Sequence, residues 1–291
     1  MSTLPSDGTL IVPVANRETA DRLLGTAIDI ARERSMRLLV LHILEVPPQI
    51  PLAQADVLLE EDDDPRELLA DTHQRLEQAG VEGETRLRYA RDVATGIVGA
   101  VTEHGGDGLL MGWRGRPRRR DIVLGSFLDR VLAEAACDVF IKRIKRPVAP
   151  IDSILVPLAG GPNGELAVAL ARTLARHHDA TVSLVHIVPD EASETRLEEA
   201  ETLLDQYLEG FETDSVTAEA STIRGDHVGG AITDLTADHD LTILGATRRG
   251  FLGRKLVGSV AEGVGRAATS QVIVTRRAPD TGRPNGQSLR G

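Results

Sequence analysis

The sequence predicts an α/β protein made of two tandem doubly wound domains, each with a five-stranded parallel sheet flanked by four helices. Two observations carry this prediction. Short apolar runs alternate with helical hydrophobic periodicity along the chain, which is typical of strand–helix crossovers and of a parallel sheet covered on both faces. The same order of elements then occurs twice, and 291 residues suffice for two such units.

The internal repeat appears as matching segments at constant spacing. Residues 10–15 (LIVPVA) recur as residues 154–159 (ILVPLA), 144 positions later, whereas the Gly-Ser pair at Gly125 recurs at Gly258, 133 positions later. The second copy is therefore 11 residues shorter between its second and fourth strands. The first copy carries the extra material in residues 46–64, whose prolines and acidic run predict a solvated loop leading into a helix.

The strands are predicted from short apolar runs, and the helices from apolar residues that recur on one helical face. In the first copy we expect strands at 9–15, 37–44, 84–89, 108–112 and 138–144, and helices at 18–34, 65–79, 93–104 and 126–136. In the second copy we expect strands at 153–159, 181–188, 216–223, 241–245 and 271–276, with helices between them. The predicted units are domain 1 (1–146), a linker (147–150), domain 2 (151–277) and a disordered tail (278–291).

The charge balance restricts the partners. Asp and Glu number 44 against 33 Lys and Arg, a net charge of −11, and only three of the basic residues are lysines. An acidic chain repels nucleic acid and anionic membranes at long range, so we expect neither as a partner. An acidic, lysine-poor chain with 2% aromatic residues fits adaptation to a high-salt cytoplasm, although a GC-rich genome also favours Arg over Lys.

The cellular compartment is predicted from three features that the sequence lacks. No apolar run approaches the ~18 residues of a membrane span, and residues 1–8 lack the basic and apolar regions of a secretory signal. The single cysteine, Cys137, has no partner for an internal disulfide and precedes a strand, so it is interpreted as a packed residue, with a regulatory thiol as the alternative. We therefore expect a reducing cytoplasm.

A glycine pattern follows the fourth strand of the first copy. Gly112 ends the strand, Gly115 follows after two intervening residues, and Gly125 with Ser126 opens the last helix. Glycines let backbone approach a ligand, and a helix start offers free N–H groups and a positive dipole end to an anion. The pattern predicts a phosphate site at the edge where doubly wound sheets bind ligands, with simple termination of elements as the alternative.

This motif, Gly-x2-Gly-x9-Gly-Ser from Gly112, follows an Ile-Val-Pro-Val first strand and a Leu-His-Ile second strand. In this respect the chain resembles the universal stress protein (UspA) family over nearly its whole length, as two copies. The stretches 112–121 and 245–250 also resemble the stress-protein halves attached to amino-acid permeases of halophilic archaea. The resemblance implies a regulatory module, not an enzyme, that binds ATP or another adenine nucleotide.

The resemblance also implies individual contacts. ATP-binding members have Asp after the first strand, where this chain has Ala15 and Ala159, so Asn16 and Asn163 are considered as partial substitutes. Adenine is expected against the apolar ends of the first two strands and the phosphates on the glycine motif, where the second copy has Arg248 in place of one glycine. The implied contacts are Pro13, Val14, Ala15, Ile43, Gly112, Gly115, Gly125, Ser126 and Phe127 in the first copy, and Pro157, Leu158, Ile187, Gly245, Arg248, Gly258 and Ser259 in the second.

Other polar residues leave alternatives open. Asp121 and Asp129 flank the motif and are considered as ligands for Mg²⁺ on the nucleotide. The motif loop also holds the only dense basic cluster, which either grips an anion or is solvated; RNA binding is a third interpretation, although Trp113 alone offers base stacking. This arginine cluster comprises Arg114, Arg116, Arg118, Arg119 and Arg120.

The histidines are interpreted as structural. His42 and His186 occupy equivalent strand positions and are expected to bond to backbone. His177, His178 and His104 lie near helix ends, where the dipole favours a cation, and show no metal-ligand spacing with Asp, Glu or Cys. No nucleophile–base pair is visible, so the residues do not predict catalysis.

Family members pair through their last strands, and the segments 138–141 and 271–274 are short apolar edges of that kind. We therefore expect the two halves to pair antiparallel as an internal pseudo-dimer, with a homodimer of whole chains as a further possibility. The alternative functions are a cytoplasmic partner of a membrane transporter with degenerate nucleotide sites, and a stress-induced scaffold without a ligand.

The acidic composition leads to a prediction about salt. Self-repulsion is screened more strongly at high ionic strength, since the Debye length falls from about 10 Å at 0.1 M to about 3 Å at 1 M. We expect the melting temperature to rise between ~0.1 M and ~3 M KCl, and nucleotide affinity to fall as the arginine cluster loses attraction for anions. A melting temperature that stays constant over this range contradicts the high-salt interpretation.

Overall fold

The computed structural model describes residue 4 and residues 6–58, 63–113, 126–144, 150–212, 215–246 and 258–279. The predicted linker, apart from Pro150, and the predicted tail beyond residue 279 lie outside the described residues.

Strands and helices alternate in both halves, close to the predicted bounds. The first half contains β1 (Thr9–Pro13), α1 (Arg17–Arg34), β2 (Arg37–Glu45), α2 (Ala55–Leu58), α3 (Asp63–Gln78), β3 (Gly83–Ala90), α4 (Val93–Glu103), β4 (Gly108–Trp113), α5 (Ser126–Glu134) and β5 (Asp138–Arg143). The second half contains β6 (Ser153–Pro157), α6 (Pro162–His178), β7 (Thr181–Val188), α7 (Glu194–Glu212), β8 (Ala218–Arg224), α8 (Val228–Leu235), β9 (Leu241–Gly245), α9 (Ser259–Ala267) and β10 (Gln271–Arg276).

The ten strands form one sheet in the order β3-β2-β1-β4-β5-β10-β9-β6-β7-β8. Neighbouring strands within each half are parallel, which confirms the predicted doubly wound class. β5 and β10 pair antiparallel, with Ile141 opposite Val274 and Phe140 opposite Thr275. The predicted internal pairing of the halves is therefore confirmed, and it joins two five-stranded sheets into one.

Each face of the sheet carries one apolar core that runs through both halves. α1, α3, α6 and α7 cover one face, where Phe140 and Ile273 of the central strands are buried. α4, α5, α8 and α9 cover the other face, where Val139 and Val272 are buried. Residues that alternate along β5 and β10 thus enter opposite cores, as expected for strands buried on both sides. The outermost strands, β3 and β8, are partly exposed and rich in polar residues, which discourages further edge pairing.

Two equivalent arginines link the halves beyond the strand pairing. Arg143 ends β5 and donates hydrogen bonds to the Ala268 and Arg266 carbonyl oxygens (3.0 and 2.8 Å) at the end of α9. Arg276 ends β10 and donates to the Ala135 carbonyl oxygen (2.9 Å) just after α5. Each arginine satisfies carbonyl groups that the end of a helix leaves without intrahelical partners. Each half therefore caps a helix of the other.

The insertion in the first half differs from the prediction. A solvated loop is expected there, but the segment forms a 3-10 turn (Leu52–Gln54) followed by α2, and α3 begins at Asp63 inside the acidic run. Val57 is 80% exposed, as expected for a solvated segment, whereas Ala55 is fully buried and anchors it. The helix dipole favours acidic residues at a helix start, which agrees with Asp63 and Asp64 opening α3.

Lys142 is a buried cation at the centre of the sheet, and it generates a stability prediction. It is 3% exposed, its Nζ donates to Thr26 Oγ1 (2.7 Å), and burial lowers its pKa to about 8. Between that value and the ordinary 10.5 the unfolded chain binds more protons than the folded chain, so the free energy of unfolding rises with pH across this window. We expect Lys142→Met to raise that free energy by roughly 1–3 kcal/mol at pH 7, and the gain to shrink toward pH 10.5, as measured by urea unfolding.

The matched control is Thr275, the buried residue at the equivalent position of the second half. Because its side chain does not titrate, the effect of Thr275→Val should not change between pH 8 and 10.5. A Lys142→Met variant less stable than the wild type at pH 7 would show that the hydrogen bond to Thr26 outweighs the cost of burying the charge.

Candidate functional site

The predicted site lies at the carboxyl ends of the central strands of each half. β1 pairs with β2 on one side and β4 on the other, and β6 likewise lies between β7 and β9. The helices that follow β1 and β4, α1 and α5, cover opposite faces of the sheet. In doubly wound folds, ligands bind at the carboxyl ends of strands related in this way. Pro13, Val14 and Ala15 lie at the end of β1, and Gly112 lies near the end of β4, at the same edge.

The two strand-end histidines hold this edge together. Val14 N donates to the Leu41 carbonyl oxygen (2.8 Å), and His42 Nδ1 lies 3.0 Å from the Val14 carbonyl oxygen. In the second half, His186 Nδ1 lies 2.8 Å from the Leu158 carbonyl oxygen. Because a carbonyl accepts, Nδ1 carries the proton in both rings and Nε2 is the acceptor when the ring is neutral. The structural interpretation of both histidines is confirmed, and burial lowers the pKa of His42, which favours the neutral ring.

The apolar residues predicted to flank adenine divide between the two cores. Val14 and Leu158 are 2% and 4% exposed and belong to the core under α1 and α6. Ile43 and Ile187 pack against the core on the opposite face. Ala15, where ATP-binding relatives are expected to carry Asp, is exposed. The structure thus does not bring the two members of either predicted adenine wall into one cluster, and these contacts stay predictions.

The strand-end glycines are required by helix packing. A Cβ on Gly245 would lie 2.8 Å from the Asn163 carbonyl carbon and 2.9 Å from Gly164 N, both in the first turn of α6. A Cβ on Gly112 would meet only side chains, with Ile144 methyl groups at 3.2 Å. Close approach of α6 to β9 accounts for glycine at position 245 without a ligand.

The two asparagines considered as substitutes for the missing Asp are already hydrogen-bonded. Asn16 caps α1 by accepting from Thr19 N (2.9 Å). Asn163 is buried, donates from Nδ2 to the Ala246 carbonyl oxygen (2.5 Å) and accepts from Arg277 N (2.8 Å) at Oδ1. Both polar atoms of the Asn163 side chain are therefore already bonded, so this side chain does not replace the Asp.

The helix start at Gly258 retains the features of an anion site. Gly258 has a φ of +81°, a conformation that favours glycine, and no side-chain hydrogen bond caps α9. The first N–H groups of α9 therefore have no side-chain acceptor from the cap residue. Phe127, at the equivalent helix start in the first half, is 38% exposed.

Much of the predicted phosphate cradle lies outside the described residues. This applies to Gly115, Gly125, Arg248, Asp121 and the arginine cluster from Arg114 to Arg120. The side chains of Ser126 and Ser259 are also outside the described set. Their roles stay predictions.

Carboxylates of the two halves influence each other beside these helix starts. Burial raises the pKa of Asp129 in the first turn of α5, and the charge of Glu262 in the first turn of α9 raises it further. Glu262 is buried and pairs with Arg266. Among the described residues, Asp129 belongs to no group of three His, Cys, Asp or Glu able to share an ion, so no protein site for Mg²⁺ is assigned.

Two further predictions concern single side chains. Cys137 is 2% exposed, and burial raises the pKa of its thiol to about 12, which agrees with a packed, unreactive residue. His177 and His178 show no metal-ligand spacing in the sequence, but in the structure Asp29 lies beside both. Asp29 is 148 and 149 positions away from the two histidines in sequence, so no spacing pattern reveals it.

The fold defines a tandem pair of doubly wound α/β domains joined through one sheet. The chain belongs to the Universal stress protein family, whose profile matches residues 8–143 and again 150–276. In the described part of the chain, no helix combines the length and apolar character needed to cross a membrane.

Individual relatives fall into two groups. The chain is 27% identical over 245 residues to Universal stress protein Rv2623 of Mycobacterium tuberculosis, covering 79% of this chain and 82% of that protein. It is 25% identical over 275 residues to the Na(+)/H(+) antiporter NhaS5 of Synechocystis sp., covering 91% of this chain but only 38% of the antiporter. The chain therefore spans less than two fifths of the length of that antiporter.

Solved structures show the same fold. A universal stress protein from Archaeoglobus fulgidus has a TM-score of 0.66 at 17% identity, covering 94% of this chain and 98% of that one. The cytoplasmic domain of a prokaryotic cation chloride cotransporter has a TM-score of 0.62 at 14% identity, covering 94% and 96%.

The contrast between the two strand-end glycines predicts unequal mutational costs. We expect Gly245→Ala to lower the free energy of unfolding by ~3 kcal/mol, because backbone atoms of α6 must move, and Gly112→Ala by ~1 kcal/mol, because the Ile144 side chain can rotate. Urea unfolding of both variants measures the difference. Equal losses would contradict the packing explanation.

Proposed function

We propose that this chain binds an adenine nucleotide, such as ATP, ADP or AMP, mainly through its first half and acts as a regulatory module. Membership of the Universal stress protein family supports the proposal. The observation that carries it is the Gly-x2-Gly-x9-Gly-Ser motif, which is complete only in the first half. It runs from the end of β4 to the start of α5, at the crevice where doubly wound sheets bind ligands.

The preference for the first half has two supports. Arg248 replaces the second glycine of the motif in the second half. The first turn of α6 also lies against Gly245, and Asn163 there uses its side chain to bond Ala246 and Arg277. In the first half, Gly112 meets only side chains that can move.

The affinity is proposed to be weak. Ala15 offers no carboxylate for the ribose, and a hydrogen bond to a charged group contributes roughly 1.5–3 kcal/mol. A site that is micromolar with the carboxylate weakens to roughly tens or hundreds of micromolar without it. Intracellular nucleotide at millimolar concentration still occupies such a site.

Regulation by binding, rather than catalysis, agrees with the side chains near the crevice. His42 and His186 bond to main-chain carbonyls, and the Cys137 thiol is buried. The proposal therefore assigns no catalytic residue and no protein ligand for Mg²⁺. We place the module in the cytoplasm, where adenine nucleotides are abundant.

A second candidate is a regulatory partner of a membrane transporter. The match to the Na(+)/H(+) antiporter NhaS5 covers 91% of this chain, which favours this function. Nucleotide binding distinguishes the two candidates, because a module that docks on a transporter can function with degenerate nucleotide sites. Absence of nucleotide binding would therefore favour the second candidate.

Calorimetry with ATP, ADP and AMP on the whole chain tests the first proposal. We expect one site, and Gly115→Arg, which copies the second half, should weaken it about tenfold or more, equivalent to about 1.4 kcal/mol. Ala15→Asp should tighten it by roughly tenfold, since it supplies a charged acceptor at an exposed position.

The matched control is Arg248→Gly, which restores the second glycine of the other half. It should leave the first site unchanged. Loss of binding in Arg248→Gly but not in Gly115→Arg would place the site in the second half. No heat and no thermal shift at millimolar nucleotide, in the salt that best stabilises the protein, would overturn nucleotide binding in both.

A further inference from the structure

α1 and α6 pack antiparallel across the boundary between the halves, and their contacts repeat about the internal pseudo-twofold axis. Asp29 and Thr173 are equivalent at an offset of 144, as are Arg34 and His178. Arg34 Nε donates to Thr173 Oγ1 (3.0 Å), and the counterpart contact joins His178 Nε2 to Asp29 Oδ2 (3.0 Å). The same framework thus carries a simple hydrogen bond at one end and a cluster of metal-ligating side chains at the other.

The second histidine completes this cluster. His177 Nε2 lies 3.1 Å from Asp29 Oδ1, so the two imidazoles approach opposite oxygens of one carboxylate. Their rings are edge-to-face with centroids 5.0 Å apart. One ligand atom from each of the three residues lies within 4.8 Å of the other two. Neighbouring residues of a helix normally point about 100° apart, and Asp29 lies between the two directions.

These separations suit a shared metal ion. A tetrahedral zinc ion has ligands at about 2.0–2.2 Å, so adjacent ligand atoms are about 3.3–3.5 Å apart. The two nitrogen–oxygen distances, 3.0 and 3.1 Å, need only small rotations of the side chains to reach this value. His177 and His178 are the last residues of α6, and the residue that caps the helix, Asp179, has a φ of 56°. Their place is therefore fixed by the end of the helix.

Burial and ligand chemistry define the kind of ion. The side chains of Asp29, His177 and His178 are 16%, 23% and 25% exposed, so the group is mostly enclosed but water can reach it as a further ligand. Two imidazoles and one carboxylate suit zinc and similar transition metals, whereas Mg²⁺ and Ca²⁺ prefer oxygen ligands.

We propose that Asp29, His177 and His178 bind one divalent transition-metal ion of the zinc type across the boundary between the two halves. The ion is held by α1 of the first half and α6 of the second, so it fastens the two domains to each other. This site is separate from the proposed nucleotide site and does not depend on it.

Lys142 is a buried positive charge that interacts electrostatically with Asp29. The positive charge of Lys142 repels a metal ion bound to Asp29 and weakens its binding. Replacing Lys142 with an uncharged side chain should therefore tighten metal binding, which distinguishes a metal site from a cluster of ion pairs.

Calorimetric titration of the untagged whole chain with Zn²⁺ tests the proposal, with Co²⁺ as a spectroscopic probe. We expect one equivalent to bind and Co²⁺ to give the absorption of a low-coordinate site with nitrogen and oxygen ligands. His177→Gln, His178→Gln and Asp29→Asn should each weaken binding by about tenfold or more. Millimolar Mg²⁺ should not displace Zn²⁺.

His73→Gln is the matched control, because His73 is an exposed histidine that pairs with Glu77 on α3, away from the cluster. It should bind Zn²⁺ like the wild type, and Lys142→Met should bind more tightly. At the same Zn²⁺ concentration, Zn²⁺ should raise the melting temperature of the wild type by a few degrees and that of His178→Gln by less. Circular dichroism establishes that each variant folds.

Three results would overturn the proposal. The first is absence of stoichiometric binding to the metal-free wild type. The second is unchanged affinity in the folded double variant His177→Gln/His178→Gln. The third is an equal loss of affinity in His73→Gln, which would indicate surface binding.

Discussion

The antiparallel pairing of β5 with β10 is the interaction on which the rest of the structure depends. Alone, each strand would be an apolar sheet edge with unpaired N–H and C=O groups, a template for aggregation. Paired, the two strands become the centre of a ten-stranded sheet and let both apolar cores continue from one half into the other. Arg143 and Arg276 extend the junction by capping helices across it. Separating the halves would therefore expose two cores and uncap two helices at once.

The duplicated framework carries side chains that have diverged at equivalent positions. A Cβ on Gly265 of α9 would lie 2.6 Å from the ring of Trp113, so that glycine lets the indole of the first half pack against the second half's helix. The position equivalent to Trp113 is Ala246, whose carbonyl oxygen is bonded to Asn163 instead. The first half places the large Trp113 side chain in the junction, whereas in the second half the Asn163 amide donates a hydrogen bond to the strand end at Ala246. Symmetry of the backbone therefore does not imply two equal sites.

The sequence predicted the framework better than the site. Strands such as Thr181–Val188 and Gln271–Arg276 have the predicted bounds, because each contains closely spaced buried apolar residues that the sequence pattern reveals. The insertion was only partly predicted, since residues 52–58 are helical where a loop is expected, and local turn formation there depends on the burial of Ala55. The Asp29 cluster could not be found from spacing, because the distance between its members is set by how the two halves pack. Side-chain partners of Asn163 likewise depend on the packing of α6 against β9 and β10.

Carboxylates at the junction of the two halves give a physical reason why, under the proposed function, the two halves bind nucleotide unequally. Asp129 and Glu262 occupy equivalent positions in the first turns of α5 and α9, and the raised pKa of Asp129 reflects its burial and the charge of Glu262. An anion bound at the start of one of these helices adds negative charge to the same region, where burial weakens screening by solvent. A second anion at the other helix start then meets both the carboxylates and the first ligand. Electrostatics therefore disfavours filling both halves at once, so divergence of the second site costs the protein little binding capacity.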